Sequence, residues 1–239
     1  MQRYFGSIIG NDVLLGPDDE YHILKVMRMR VGEDIEVVSD GQVFLCNIQN
    51  LKPLKILCIK EIKEKHELPN DVTLVASLLK GDKMDMVLQK ATELGVSEIV
   101  LLSTERTIVK KRDFDTSQKL QRYSRILKEA AEQSKRSRIP ELTRLITMKE
   151  LKSIKADVKL IAYEGNAGST KELLSVLKGI EKKQKVAVVI GPEGGFTKEE
   201  IKLATNAGFK CVSLGSRILR AETACICSLS LIQAYLERK

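Results

Sequence analysis

Two glycine-bearing stretches decide the fold: VAVVIGPEGGFT at residues 186–197 and VSLGSRILRAETA at residues 212–224. In each stretch an apolar run predicts a buried strand, which stops at glycine shortly before the start of a helix. Thr197-Lys-Glu-Glu200 has the pattern of a capping box, which opens such a helix. Ligands of open α/β sheets collect at strand ends of this kind. The spacing matches neither a dinucleotide fingerprint nor a Walker loop, which argues against hydride transfer and ATP hydrolysis.

The rest of the chain from Val72 onward alternates between predicted strands and predicted helices. The strands are expected at VTLVASLL (72–79), SEIVLL (97–102), ELTRLI (141–146), DVKLIAY (157–163), KVAVVIG (185–191) and CVSLG (211–215). Helices are expected at 83–93, 118–134, 171–177, 198–206 and in a final segment that runs to Tyr235. Strands and helices that alternate in this way predict an α/β fold with a mostly parallel sheet.

The first 65 residues have a different pattern, which predicts a small β-barrel. Runs rich in β-branched residues at 34–40, 42–50 and 54–62 are separated by turn formers. One helix is expected to interrupt them, because apolar residues recur at helical spacing behind Gly16-Pro17-Asp18, namely Tyr21, Leu24, Met27 and Val31. The polar segment 63–70 then has the composition of a linker. We therefore predict two domains, 1–68 and 71–239.

Composition excludes several classes of protein. No apolar run approaches 18 residues, and the first residues, MQRYFGSIIGND, lack the layout of a secretion signal, so we expect a cytoplasmic protein. The five cysteines are odd in number and form no CxxC pair, and the chain has two histidines. Buried free thiols are therefore expected, and no metal site.

Positive charge is concentrated in the middle of the chain. Between Arg106 and Arg138 there are eleven Lys and Arg residues against four acidic ones, whereas residues 1–70 carry nine basic and eleven acidic residues. Clustered basic residues favour a polyanion partner, because neutralising phosphates releases counterions. A solvated helix face with many ion pairs would explain the same number of basic and acidic residues, and charge alone does not distinguish the two interpretations.

Several motifs together resemble one family. GPEGGFTKEE and LGSRILRAETA are accompanied by KGDKMDMVLQKATELGVSEI (80–99), ERTIVKK (105–111) and EAAEQSKRSRIPEL (129–142). MQRYFG and EYHILKVMRMRVGE (20–33) extend the similarity to the N-terminus. This combination resembles the RsmE family of 16S rRNA uracil-N3 methyltransferases, within the SPOUT superfamily.

The resemblance implies a fold and a cofactor. It implies an N-terminal PUA-like barrel, a C-terminal SPOUT domain tied in a trefoil knot, and S-adenosylmethionine bound against the knotted loops. By motif match the cofactor-binding residues are Ala162, Tyr163, Glu164, Ile190, Gly191, Gly194, Leu214, Gly215, Ile218 and Leu219. These residues lie at the strand ends that the pattern of the chain favours independently, with apolar walls for adenine and acidic or carbonyl groups for the sulfonium.

The resemblance also implies roles for the residues that follow. Uracil N3 carries a proton, so the reaction needs a base or a cation that stabilises charge on the uracil oxygens. We assign Arg220 as the cation that stabilises charge on the uracil oxygens. Glu222 is assigned as the base or as the residue that orients Arg220. The open alternative for Glu222 is a carboxylate in the first turn of a helix, which the helix dipole favours. Candidate phosphate contacts in 16S rRNA or the assembled small ribosomal subunit are Arg3, Arg28, Arg30, Lys80, Lys83, Arg106, Lys110, Lys111, Arg112 and Arg136.

The resemblance also bears on the oligomeric state and leaves two alternative functions. SPOUT enzymes are usually homodimers, and on that analogy the apolar segment 224–235 packs against a partner chain. Two other functions stay open: a SPOUT methyltransferase for another base or a ribose 2′-hydroxyl, and a ribosome-binding factor without catalysis.

Overall fold

The computed structural model describes residues 1–64, 66–107, 117–165 and 171–238. The chain forms two compact units. Unit 1 comprises Met1–Glu67 and Lys128–Ile139, and unit 2 comprises Leu68–Leu127 and Pro140–Lys239. The prediction placed residues 128–139 in the second domain, and this is corrected. The segment joins unit 1 through ion pairs such as Lys135 with Glu36, 2.7 Å between Nζ and Oε2, which local sequence patterns do not reveal.

Unit 1 is built on a six-stranded sheet. Its strands are β1 (Arg3–Phe5), β2 (Ser7–Ile9), β3 (Asp12–Leu14), β4 (Asp34–Ser39), β5 (Gln42–Leu51) and β6 (Leu54–Ile62). Their order is β1-β4-β5-β6-β3-β2, with β1 parallel to β4 and the other neighbours antiparallel. The three longer strands were predicted from their composition, whereas the three short ones at the N-terminus were not.

Gly6 explains how this sheet curves. It is the single residue between β1 and β2, which are the two edges of the sheet. One residue spans less than about 4 Å, so the sheet must curl until its edges approach each other, as in a barrel. A Cβ atom at Gly6 would lie 2.6 Å from the carbonyl oxygen of Leu14, so the close approach requires glycine.

The helix of unit 1 is shorter than its pattern predicted. An α-helix, α1 (Pro17–Tyr21), continues into a π-helical turn, His22–Val26, and the chain leaves helical geometry at Arg28, where φ is 51°. The π turn changes the helical period, so spacing by three or four residues no longer selects one face. Ile23 is fully buried, whereas three of the four residues at helical spacing are exposed: Tyr21, Met27 and Val31.

Unit 2 is a seven-stranded parallel sheet with helices on both faces. The strands are β7 (Val72–Ser77), β8 (Glu98–Ser103), β9 (Glu141–Thr147), β10 (Val158–Ala162), β11 (Lys171–Glu172), β12 (Val186–Ile190) and β13 (Lys210–Ser213). The helices are α2 (Asp82–Glu93), α3 (Ser117–Gln133), α4 (Leu173–Leu177), α5 (Lys198–Asn206) and α6 (Ala221–Leu236), with a 3₁₀ turn at Met148–Ser153. Strand order is β11-β13-β10-β12-β7-β8-β9, and every adjacent pair is parallel.

Two apolar layers cover this sheet. Leu74, Val188 and Leu160 face one layer with helices α2, α4 and α6, whereas Val75 and Val189 face the other with α5 and the 3₁₀ turn. Strands buried on both faces explain the near-continuous apolar runs in the sequence. The predicted α/β fold with a mostly parallel sheet is confirmed, and the trefoil knot stays a prediction.

The structure bears on two features of the composition, the state of the cysteines and the possibility of a membrane-spanning helix. All five cysteines are free; Cys46, Cys211 and Cys225 are buried, as predicted, while Cys58 and Cys227 are half-buried. Burial, with smaller contributions from Cys58 and Glu222 respectively, raises the pKa of Cys46 and Cys225 to about 12. Among the helices in the described ranges, none combines the length and apolarity needed to cross a bilayer.

Candidate functional site

The site begins with the topology of three adjacent strands. β10 lies between β12 and β13, all three are parallel, and their carboxyl ends therefore share one edge of the sheet. After β10 the chain forms β11 at the edge of the sheet beyond β13, and then enters β12 on one side of β10 and β13 on the other. A reversal of this kind leaves a crevice beyond the strand ends, where α/β sheets bind ligands.

A cavity of about 550 Å³ occupies this crevice. Its volume is in the range of small-molecule sites. All ten residues predicted to bind the cofactor line it: Ala162, Tyr163, Glu164, Ile190, Gly191, Gly194, Leu214, Gly215, Ile218 and Leu219. Gly191 and Gly215, which begin the two loops, thus face one shared space.

The loop after β12 is held by its own turn and by the helix that follows. Gly195 (φ 66°) donates its backbone N–H to the carbonyl of Pro192 at 2.9 Å, closing a tight turn. The predicted capping box is confirmed: Thr197 and Glu200 each accept from the other's backbone N–H, at 3.2 and 2.9 Å. A Cβ atom at Gly191 would lie 2.9 Å from the Phe196 ring, so glycine lets that ring pack beneath the cavity.

The loop after β13 presents apolar side chains around a glycine turn. Gly215 adopts φ 118°, a conformation that glycine tolerates, and donates its N–H to Ser213 Oγ at 3.2 Å. Leu214 and Leu219 pack partly against the core. Ile218 also lines the cavity but is 82% exposed. An apolar side chain so exposed at a cavity mouth is a surface that a ligand would cover.

Charged groups ring the cavity. Arg106 donates from Nη1 to the carbonyl of Gly194 at 2.9 Å. Lys83 Nζ lies 2.9 Å from Glu193 Oε1 and 3.9 Å from Glu222 Oε2. Burial alone would raise the pKa of Glu193, but the hydrogen bond and charge of Lys83 outweigh it and hold that pKa below its usual value. Arg220, the N-cap residue of α6, lines the cavity and is exposed.

Glu222 differs from the other charged groups in its hydrogen bonding. Its side chain is 13% exposed, and within the described ranges its Oε2 atom is buried without a hydrogen-bond partner. At 3.9 Å the Lys83 ammonium supplies charge but no hydrogen bond to that atom. Within the described ranges the cavity lining includes its neighbours Ala221 and Ala224 but not Glu222 itself. The carboxylate therefore has an unused acceptor beside the candidate site.

The predicted phosphate contacts have mixed outcomes. Arg3 and Arg136 are buried and corrected: Arg3 pairs with Glu36 (2.9 Å) and Glu64 (2.5 Å), and Arg136 pairs with Glu67 (2.6 Å). A side chain enclosed by carboxylates cannot reach a phosphate. The other described candidates are partly or fully exposed: Arg28, Arg30, Lys80, Lys83 and Arg106. Lys110, Lys111 and Arg112 lie outside the described residues.

Sequence reasoning missed that Lys83 and Arg106 belong to the cavity. Each contacts the loop after β12 from a position about a hundred residues away along the chain. The only sequence signal was the family motif containing each residue, which did not distinguish a cavity residue from a phosphate contact.

Comparisons with known proteins agree with this architecture. An RNA methyltransferase domain model matches residues 66–233, and an RNA methyltransferase PUA domain model matches residues 17–61. Ribosomal RNA small subunit methyltransferase E of Bacillus subtilis is 33% identical, over 99% of this chain and 98% of its own length. Its namesake from Synechocystis is 34% identical, over 97% of this chain and 76% of its own length.

A solved structure extends the likeness to three dimensions. The crystal structure of ribosomal RNA small subunit methyltransferase E from Neisseria gonorrhoeae, bound to S-adenosyl methionine, has 30% sequence identity and a TM-score of 0.85, covering 98% of this chain and 97% of that one. The matched models place the PUA domain in the barrel of unit 1 and the methyltransferase domain on the sheet that carries the cavity. With both domains and nearly the full length accounted for, the chain belongs to the ribosomal RNA small subunit methyltransferase E family.

Proposed function

We propose that this chain transfers a methyl group from S-adenosylmethionine to N3 of one uridine in the decoding region of 16S ribosomal RNA. One observation carries the proposal: the ten residues that family motifs assign to the cofactor line a single cavity at the carboxyl ends of three parallel strands. The relatives' names supply the substrate, and the neighbour from Neisseria gonorrhoeae supplies the cofactor.

The cavity fits the cofactor in chemistry as well as size. Ile190, Leu214 and Leu219 offer apolar walls for an adenine ring, and exposed Ile218 offers further surface. Glu164 and the carbonyls of the glycine loops offer negative groups toward a sulfonium cation. The bound cofactor would supply an electrophilic methyl group, and the protein's task is to hold the acceptor in line with it.

The acceptor requires help from side chains. The Arg220 guanidinium presents a fork of donors that suits two uracil oxygens or a flanking phosphate, and there it would stabilise negative charge as the N3 proton leaves. Glu222 is the candidate acceptor for that proton, because its Oε2 has no hydrogen-bond partner among the described residues. Arg220 lines the cavity, and Glu222 follows it by two residues in the first turn of α6.

The proposal includes the assembly and the place of action. By analogy with SPOUT enzymes, the chain forms a homodimer in which the apolar segment 224–235 of α6 packs against the partner. A ribosomal RNA substrate implies action in the cytoplasm. Methylation of another base or of a ribose 2′-hydroxyl is the alternative reaction, and a ribosome-binding factor without catalysis is the alternative role, although such a factor would not need the cavity.

Nucleoside analysis tests the proposal. Small-subunit RNA from a strain lacking the gene should contain unmodified uridine, and 3-methyluridine should reappear at one position when the gene is restored. Methylation of a different base, or of a ribose, would replace the proposed reaction with its alternative. RNA of identical composition in both strains would contradict the proposed function.

Arg220→Ala should reduce the methylation rate by about a hundredfold or more, because a developing negative charge loses its donor. Cofactor affinity, measured by calorimetry, should stay within a few-fold of wild type. Arg238→Ala, which removes the same charge from the exposed end of the chain, should leave the rate unchanged. A fully active Arg220→Ala variant would remove this residue from the reaction.

A further inference from the structure

Lys83 is shared between two carboxylates that belong to different sides of the site. It lies in the first turn of α2, and its ammonium donates to Glu193 in the loop after β12 at 2.9 Å. The same ammonium is 3.9 Å from Glu222 in the first turn of α6. One cation therefore has two anionic neighbours and hydrogen-bonds to only one of them.

The surroundings of Glu222 contain few other charges. Cys225, one turn along the same helix, is buried, and its raised pKa, caused first by burial and then by the negative charge of Glu222, keeps the thiol neutral. The segments β12 and α4, which also pack against α6, contain no titratable side chain. On α2, Asp85 pairs with Arg122 and Lys90 pairs with Glu93. Within the described ranges, Lys83 is the cation recorded within 4.0 Å of the Glu222 carboxylate.

We propose that Lys83 is a positioning residue, which divides its charge between Glu193 and Glu222 and so keeps the Glu222 carboxylate ionised as the acceptor of the uracil N3 proton. The inference rests on the proposed function. A buried carboxylate without a counter-ion would take up a proton and lose its ability to accept another. A full hydrogen bond from Lys83 would occupy the acceptor atom, so the longer 3.9 Å separation suits a base.

The step balances in atoms and electrons. Glu222 takes the proton as the N3–H bond breaks, the electron pair left on N3 forms the bond to the methyl carbon, and the pair of the broken carbon–sulfur bond stays on sulfur. Glu222 returns its proton to solvent when the methylated RNA leaves. Lys83 touches none of the reacting atoms and acts through Glu222 alone.

Two substitutions should move the pH profile in opposite directions. Lys83→Met removes the counter-ion, so the acidic limb of the single-turnover rate should shift upward. Glu193→Gln removes the competing carboxylate and leaves the ammonium to Glu222, so the limb should shift downward. Lys83→Arg should restore the wild-type limb, and Lys90→Met, a lysine lost from the other end of α2, should not move it.

Calorimetry with S-adenosylhomocysteine supplies a second readout. Lys83→Met should bind it within about threefold of wild type, and thermal melting should show that all variants fold. A lower rate with an unmoved acidic limb would make Lys83 merely structural, and a large loss of affinity would make it a cofactor contact; either result overturns the inference. Wild-type enzyme that forms no 3-methyluridine would instead overturn the proposed function.

Discussion

At the scale of single residues, Gly194 shows how little room the cavity loop leaves. A Cβ atom there would lie 3.0 Å from Cβ of Arg106, whose guanidinium holds the Gly194 carbonyl. Gly194→Val should displace Arg106 and narrow the cavity, and we expect cofactor affinity to fall at least about tenfold by calorimetry. Gly179→Val is the control, because a Cβ there meets only the Val176 carbonyl at 3.7 Å. Equal affinity in both variants would contradict the assigned position of the cofactor.

The cavity residues divide into those that local sequence can reveal and those that it cannot. Gly191 and Gly215 were predictable, because a strand that ends at glycine before a helix is a local pattern. Lys83 and Arg106 reach the same loop from distant segments, and no local pattern records such a contact. Arg3 and Arg136 were wrong as phosphate contacts, since a charge count does not distinguish a solvated arginine from one enclosed by carboxylates.

At the scale of elements, the strands of unit 2 were predictable, but the boundary between the two units within α3 was not. Strands such as β12 are buried on both faces, so their apolar runs mark them plainly in the sequence. β11 has two residues, too few to leave a pattern. The unit boundary falls within α3, because the chain from Lys128 onward is bound to unit 1 by ion pairs. A helix with one continuous amphipathic pattern gives no sign of such a boundary.

The ion cluster that follows α3 predicts an acid-sensitive element. Glu67 accepts from Arg136 (2.6 Å), Arg138 (3.0 Å) and the backbone of Ser137 (3.0 Å). Burial would raise the pKa of Glu67, but the two arginines outweigh it, so its pKa is lower in the folded chain. The stabilisation is present above the unfolded value, about 4.3, and is lost as pH falls through the lower folded value.

Glu67→Gln should therefore lower the free energy of unfolding at neutral pH by about 3 kcal/mol, because the buried Arg136 guanidinium loses its 2.6 Å ion pair with Glu67. Urea unfolding between neutral and acidic pH measures this, and the difference from wild type should shrink at acidic pH. The matched change Glu93→Gln removes a half-exposed pair with Lys90 and should cost under about 1 kcal/mol. Equal costs for the two variants would rule out the proposed role of the cluster.

At the scale of the whole molecule, the formal charge of +8 includes basic residues that form ion pairs within the chain. Lys128, Lys135 and Arg136 belong to the central basic stretch, yet each is paired with a carboxylate in unit 1. Of these three residues only Lys128 lies on α3; Lys135 and Arg136 follow that helix, and Arg136 is buried. RNA affinity must come from other basic residues, and the chain has no tryptophan and 4% aromatic residues to add stacking.

RNA binding should therefore depend steeply on salt. About six phosphate contacts give a slope of about −4 for the logarithm of affinity against the logarithm of salt concentration, measured with fluorescently labelled RNA. Replacing both Arg28 and Arg30, which are exposed, by alanine should reduce the magnitude of the slope by about 1 to 2. Replacing exposed Lys182 and Lys183 by alanine removes the same net charge and should leave the slope unchanged. Removal of a phosphate contact changes the number of counterions released, whereas removal of a distant charge does not. Equal slopes for the two double variants would therefore show that net charge, and not contact at Arg28 and Arg30, controls affinity.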